Sequence, residues 1–479
     1  MTPKKTSTAL ILVIVCLLVI LLGLLAALFA LRWDDFFSAE TTAPSTQTTE
    51  PTTKPTEPTT KPTDPTTKPT EPTEPPIVKV GTATIANVGD LLMHLPVINS
   101  ADIQNGYYDF ANMFTYFGDY IAAADYAVGN LETTLAGPDR QVWHNGQLHT
   151  GYLGYPLFNC PDSIVPSLQA VGFDMFLTAN NHTYDSSGTG FLRTQEIIRS
   201  YAMDHLGTVS SLETPLWQIH EINGIRVGMI CYTYETDANP DKVALNGIPM
   251  STDNAPLIGT FYPYNAEGRE VFYTEMAENI EEMTAAGAEA IVLYIHWGDE
   301  YQLQQTATQS TIAQKMCDLG VDVIVGGHPH VIQPMELLTS TTGSDHKTVC
   351  IYSLGNIVSN QRREHMNLKT GHTEDGILFT FTFAKYSDGT VILEDVQLLP
   401  TWVDLHWDAT AGKNIYSILP LDTQIEDWQT QFALDNNRAA MAQASYNRTM
   451  AIVGAGLTQV QTYLSQLVAD TEAALGVVN

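Results

Sequence analysis

The sequence predicts an α/β fold, and three observations carry that prediction. From about residue 77 onward, apolar runs of strand length alternate with longer amphipathic stretches. Hydrophobic residues make up 44% of the 479-residue chain, enough for a sizeable core. Residues with metal-ligand chemistry recur where the apolar runs end, at Asp90, Glu132, Asn181, His182, His296, His328 and His330. Open α/β sheets place their sites at such strand ends.

Strands are expected at 82–88, 126–128, 173–178, 226–232, 290–295, 321–325, 348–353, 377–383 and 391–398, with helices at 191–201, 273–286 and 308–318. In 273–286, Met276, Ile280 and Met283 share one face while most glutamates fall outside it. The alternation predicts a parallel or mixed sheet. The last two strands are joined through Ser387-Asp388-Gly389, which reads as an antiparallel hairpin at a sheet edge. Beyond Pro400 the chain turns polar and helical, at 424–434 and 448–468. The expected division is therefore a domain over 77–400 and a helical extension, 401–479, packed on it.

The N-terminal part is of a different kind. Residues 9–31 form an uninterrupted apolar run, which as a helix would be about 34 Å long against a hydrocarbon layer of about 30 Å. Lys4 and Lys5 precede it, and Asp34, Asp35 and Glu40 follow Arg32. The positive-inside rule then leaves a cytoplasmic tip at 1–8, a single-pass anchor in the cell membrane at 9–31, and everything after it outside. A cleaved signal peptide is the rival, with a shorter apolar core and a small-residue cleavage site as its marks. Residues 32–76 read as a disordered Thr/Pro-rich linker, in which a unit close to PTTKPTE recurs at 51–57, 58–64 and 65–71. Its prolines favour an extended stalk of about 3.1 Å per residue.

The formal charge is −31, and the first 76 residues hold 6 basic and 8 acidic side chains, so nearly all of it falls on the rest. Such a field repels nucleic acid and attracts cations. Of the five cysteines, Cys16 lies in the apolar run, while Cys160, Cys231, Cys317 and Cys350 have no CxxC spacing. Cys231 and Cys350 sit in apolar strands and read as buried thiols; the sequence leaves any disulfide pairing open.

Taken singly, the strand-end residues are ambiguous. Asp90 closes TATIANVG in a Gly-Asp turn pair, Glu132 closes YAVGNLE, and Asn181-His182 closes FDMFLTANNH. His296 follows AIVLYI. His328-Pro329-His330 follows Gly326-Gly327. In extended backbone, residues two apart point the same way, so the two imidazoles would grip one metal or two adjacent metals. The glycines would let backbone approach closely. The conjunction of carboxylate, amide and imidazole at five strand ends predicts one shared polar or metal site, with scattered structural residues as the alternative.

As a set and in this order, VGDLLMH, GNLETTL, LTANNHTYD, HWGDEY, GGHPHVIQPME and YSLGN resemble the CapA (PgsA-like) family of capsule and poly-γ-glutamate synthesis proteins, over about residues 80–400. That resemblance implies kinship with calcineurin-like metallophosphoesterases and a four-layer αββα sandwich. It implies one or two divalent ions (Mn, Zn, Fe or Mg) held by Asp90, Glu132, Asn181, His296, His328 and His330. His182 would contact a phosphate or protonate a leaving group. Two departures stand out. Leu92 occupies the place where the superfamily's D-x-H motif has a histidine, and His94 could substitute only if the backbone curls there. The bridging acid is Glu132 instead of aspartate. Asp185, Glu300, Tyr301, Gln333 and Asn356 are candidates for supporting the ligands, or for ordinary loop capping.

Three functional readings follow. The first is a membrane-anchored subunit of a capsule or poly-γ-glutamate synthesis and export complex, working with a membrane synthetase and the anionic polymer. The second is an active metal-dependent phosphoesterase, or a hydrolase or transferase of a γ-glutamyl polymer. The third is a binding or adhesion domain on a stalk. Nucleic acid is excluded as a partner on charge.

Overall fold

The computed structural model describes residues 76–477, apart from 238, 240 and 241. The expected anchor at 9–31 and the linker lie outside the described residues. Within them, no helix is long and apolar enough to cross a membrane.

Two large mixed sheets organise the described residues. The first is built outward from the strand Lys79–Leu91, which pairs in parallel with Tyr126–Leu131; Met175–Leu177 and Asp204–Leu206 continue that side in parallel. On its other flank it pairs antiparallel with Asp375–Tyr386, followed by Val391–Asp408 and Lys413–Pro420. The second sheet runs Ile225–Tyr234, Ala290–His296, Val323–Gly327 and Lys347–Ile351 in parallel, with antiparallel strands at Trp217–Ile222 and Met335–Thr339.

Burial on both sheet faces explains the unbroken apolar runs of these strands. One hydrophobic core joins the two sheets: Ile85, Val128, Phe379 and Phe381 from the first meet Met229, Val292, Val325 and Ile351 from the second. The opposite face of the first sheet is covered by Ile98, Phe114, Ile164, Leu168 and Ile198 from short helices. The opposite face of the second is covered by Phe272, Met276, Met283, Ile312 and Met316. These come from helices Ala266–Ala285 and Ala307–Leu319, whose starts are capped by Asn265 and by the Thr306/Gln309 capping box.

All nine expected strands and all three expected helices are present, with shifted ends. The C-terminal expectation needs correction. Val391–Asp408 is one strand passing through Pro400, and Lys413–Pro420 pairs along it. Residues 401–420 therefore belong to the sheet, and the hairpin at Ser387-Asp388-Gly389 lies inside it, because Lys413–Pro420 forms the edge. Thr401–Asp404 are buried in that strand, and its pairing with Lys413–Pro420 marks the segment as sheet. The helix expected at 424–434 reduces to Trp428–Gln431. The second becomes the 40-residue helix Asn436–Leu475, whose Val453, Val460 and Leu464 enter the main core.

Candidate functional site

Every predicted ligand sits at or just beyond the carboxyl end of a parallel strand. Asp90 lies near the end of the first strand, in register with Asn130, and Glu132 follows that neighbour's end. Asn181 and His182 lie in the loop after Met175–Leu177. His296 ends its strand opposite Gly327, which ends the next. Parallel pairing thus brings sequence-distant ends to one level.

The side chains converge on Glu132. Its Oε1 lies 3.5 Å from His296 Nε2, 3.8 Å from His330 Nε2 and 4.0 Å from His182 Nε2. Two sets of ligand atoms fall within 4.8 Å of one another: Glu132 with His296 and His328, and Glu132 with Asp90 and His330. Asn181 Oδ1 stands 2.9 Å from His296 Nε2, adding an amide oxygen beside the first set. All these residues are buried.

The double glycine and the two histidines work differently from the extended arrangement expected. The strand ends at Gly327, and His328 and His330 take φ values of 96° and 55°. This left-handed backbone is costly for histidine and is held in place by its surroundings. The rings sit 5.9 Å apart and serve different ligand sets. A Cβ on Gly326 would meet the Tyr352 carbonyl oxygen at 2.0 Å, and one on Gly327 would meet Asp90 Oδ1 at 3.1 Å.

Surrounding groups aim the ligands. His330 Nδ1 lies 3.0 Å from Asp90 Oδ2 and 3.1 Å from Asn356 Oδ1. A proton on Nδ1 leaves Nε2 free toward Glu132. Burial opposes charge on His330, yet Glu132 and the hydrogen bond to Asp90 hold its pKa up to about 9. Asp90 is itself kept low: burial works against its ionisation, and His330 outweighs burial. Burial, reinforced by the neighbouring imidazoles, drives His328 well below the usual range and keeps it neutral. His182 Nδ1 lies 2.8 Å from Asp185 Oδ2. Burial lowers the His182 pKa, but Asp185 more than compensates and the net direction is upward.

The supporting candidates divide. Asp185 and Asn356 touch His182 and His330 as described. Tyr301 packs its ring 6.3 Å from that of His330, and its hydroxyl accepts from Gln361 Nε2 at 3.3 Å. Glu300 is exposed at the rim of an adjoining cleft. Gln333 does not serve the site: its amide accepts from Gln309 and donates to the carbonyls of Gln302 and Gln304, pinning the loop after His296. His94 does not replace the missing histidine at Leu92. Its Nδ1 lies 3.2 Å from the Asn360 N–H and 3.3 Å from the Leu92 carbonyl oxygen, and it belongs to neither ligand set. Burial lowers its pKa to about 3.

Sequence reasoning missed three contributors. Asn130 donates to Asp90 Oδ1 at 2.7 Å and is itself held by Asn180 at 3.1 Å. Both lie inside quoted motifs, GNLE and ANNH, where strand register could have singled them out. Asn246, from a distant tight turn, donates to Asp185 Oδ1 at 2.8 Å, and no local pattern marks it.

The donor set fits a divalent cation. Both Glu132 carboxylate oxygens and His328 Nδ1 are buried without a hydrogen-bond partner among the described residues. A buried carboxylate left this way is costly unless something positive meets it. The four free cysteines, all buried, stand apart from this donor set.

Fold and cluster together define an α/β protein with a buried histidine–carboxylate centre at the carboxyl ends of its sheets. The chain matches the model of the bacterial capsule synthesis protein family PGA_cap over residues 84–361, a span that includes every candidate ligand, and it belongs to that family. It is 25% identical over 317 residues to the capsule biosynthesis protein CapA of Bacillus anthracis, covering 66% of this chain and 67% of that protein. It is 25% identical over 357 residues to the PGA biosynthesis protein CapA of Bacillus subtilis (strain 168), covering 73% and 82%.

Proposed function

We propose that this chain is a membrane-anchored, extracytoplasmic protein of capsule-polymer synthesis or export, built on a four-layer αββα sandwich of the metallophosphoesterase type. The observation that carries the metal part of this reading is the sharing of Glu132 between two ligand sets. A carboxylate common to two sets could serve an ion held by either of them. Support for the capsule part comes from family membership and from the two relatives, a capsule biosynthesis protein and a PGA biosynthesis protein. The apolar run at 9–31 supports the anchor.

Asp90, Glu132, Asn181, His296, His328 and His330 would hold the ions. Divalent metal there would supply Lewis acidity toward a phosphoryl or acyl oxygen. The chain's own residues add the rest. Asp185 orients His182 through Nδ1 and favours its protonated form, so that Nε2 faces Glu132 with a proton to give a leaving group. Burial of the cluster excludes bulk water from these contacts. A chain of charge −31 repels an anionic polymer such as poly-γ-glutamate unless cations intervene, and ions at this site would lower that barrier. The His182–Asp185 pair favours a catalytic role over a purely structural one.

Metal analysis of the purified full-length protein, with turnover of a nitrophenyl phosphodiester and capsule output in cells, tests the proposal. We expect divalent metal in the wild type and its loss, with loss of polymer output, in the His328→Ala/His330→Ala variant. His182→Ala should retain metal and lower turnover by about 100-fold or more. A metal-free wild type, or undiminished polymer output from the double histidine variant, would overturn it.

A further inference from the structure

We propose that the cleft opening from His328 binds a neutral, hydroxyl-rich saccharide chain. This goes beyond the metal-site reading, because it assigns a second ligand class with its own subsite.

The cleft has a volume of about 590 Å³, and its walls include Tyr234, Tyr264, Trp297, Asp299, Glu300 and His328. That volume is in the range of small-ligand sites. Aromatic faces of this kind suit the C–H faces of pyranose rings. Trp297 is buried behind the wall, its indole N–H bonded to the Tyr352 carbonyl, so the ring faces open to the cleft are those of Tyr264 and Tyr234. Neither the Tyr234 nor the Tyr264 hydroxyl has a hydrogen-bond partner among the described residues, so two donors remain for ligand oxygens. Asp299 and Glu300 provide acceptors for ligand hydroxyls.

Charge decides against an anionic chain here. Among the described residues, the cleft lining contains no lysine or arginine, while two carboxylates stand at it. A polymer with a carboxylate on every unit would meet repulsion along these walls, which carry no lysine or arginine among the described residues. Both carboxylates are exposed and keep their hydration, which weakens their hold on an amine. A polyol satisfies the free phenols as acceptor and the carboxylates as donor at once.

The inner end of the cleft joins it to the proposed metal site, because His328, 3% exposed, both lines the cleft and belongs to a ligand set. Tyr234 packs against it with ring centroids 4.7 Å apart. A chain seated on the aromatic wall would therefore reach the metal-site histidines.

Titration of the full-length protein in a non-glycosidic detergent with three neutral tetrasaccharides (chitotetraose, cellotetraose and maltotetraose) tests this by calorimetry and tryptophan fluorescence. We expect saturable binding of at least one. Tyr264→Ala and Glu300→Gln should each weaken it about tenfold or more, with metal content unchanged; both positions are exposed enough to leave folding intact. Binding of none of the three, binding indifferent to both substitutions, or displacement by γ-glutamate oligomers or spermidine at equal concentration would overturn it. Metal content reads separately: saccharide binding without metal would sink the metal-site proposal and leave this one standing.

Discussion

At the scale of single residues, Glu132 is the most informative side chain. It is fully buried, its oxygens lack hydrogen-bond partners among the described residues, and three imidazoles surround it. Such a group is tolerated where a cation completes it. Metal should therefore stabilise the wild type by about 2.7 kcal/mol at a hundredfold excess over its Kd. Glu132→Gln should erase most of that gain, and the metal-stripped variant should match or exceed the stripped wild type in stability, because a buried charge has been removed. Thermal unfolding with and without added Mn or Zn checks this, and an undiminished metal-induced rise in Tm for Glu132→Gln would contradict it. Asn130, Asn356 and Asp185 act one step back. Each fixes the orientation of a ligand or of His182, so positional tolerance at the site is set by groups that carry no motif of their own.

At the scale of elements, the long helix Asn436–Leu475 is tied to the first sheet by two ion pairs, Arg438 with Asp404 and Arg448 with Asp375. Arg448 Nη2 lies 2.7 Å from Asp375 Oδ1, at the start of the strand Asp375–Tyr386. Burial raises the Asp375 pKa to about 6 even though Arg448 opposes the shift. A carboxyl whose folded pKa lies above its unfolded value near 3.8 favours folding below that value. The contribution is lost as pH climbs through about 6. We expect stability to fall by about 3 kcal/mol across that window from this group alone. Asp375→Asn should flatten this part of the pH profile, as urea unfolding between pH 3.5 and 7 would show. At pH 7 Arg448→Ala should cost about 3–5 kcal/mol by stranding the carboxylate. An unchanged midpoint in that variant would show that the pair carries no weight. The strand Val391–Asp408 teaches a related lesson: its outer half alternates polar and apolar residues, and only its pairing with Lys413–Pro420 reveals it as sheet.

At the scale of the whole molecule, the acidic charge and the proposed cation site belong together. A net −31 raises the local concentration of divalent ions and opposes approach of polyanions. Association with poly-γ-glutamate should therefore strengthen with millimolar divalent cation and with moderate ionic strength, and weaken after chelation, by sedimentation or light scattering. Association that is strongest at low salt without divalent ions would point to a basic docking surface, which the proposed mode of contact does not include. The site also lies where the two sheets meet. Asp90, Glu132, Asn181 and His182 come from the first sheet's strand ends, and His296, His328 and His330 from the second's. Substitutions that loosen the shared core should thus lower metal affinity together with stability.

Much of this was legible in the chain itself. Runs such as AIVLYI and VIVGG are free of charged side chains because both sheet faces are covered, so strand positions followed from local pattern. The candidate ligands were legible as residue types at the ends of those runs. Other features depend on contacts between residues far apart, and no local pattern encodes them. Parallel register sets Asp90 beside Asn130 and His296 beside Gly327, and the two sheets then deliver their ends to one carboxylate. Positive φ at His328 and His330 overrides the side-chain alternation that extended backbone implies. His94 is close in sequence to Asp90 yet spent on Asn360, while Asn246 is remote and reaches Asp185. The sequence by itself determined the elements and the chemistry available to them. Only the tertiary structure decided which of those groups meet, because that depends on sheet pairing and close packing across the whole fold.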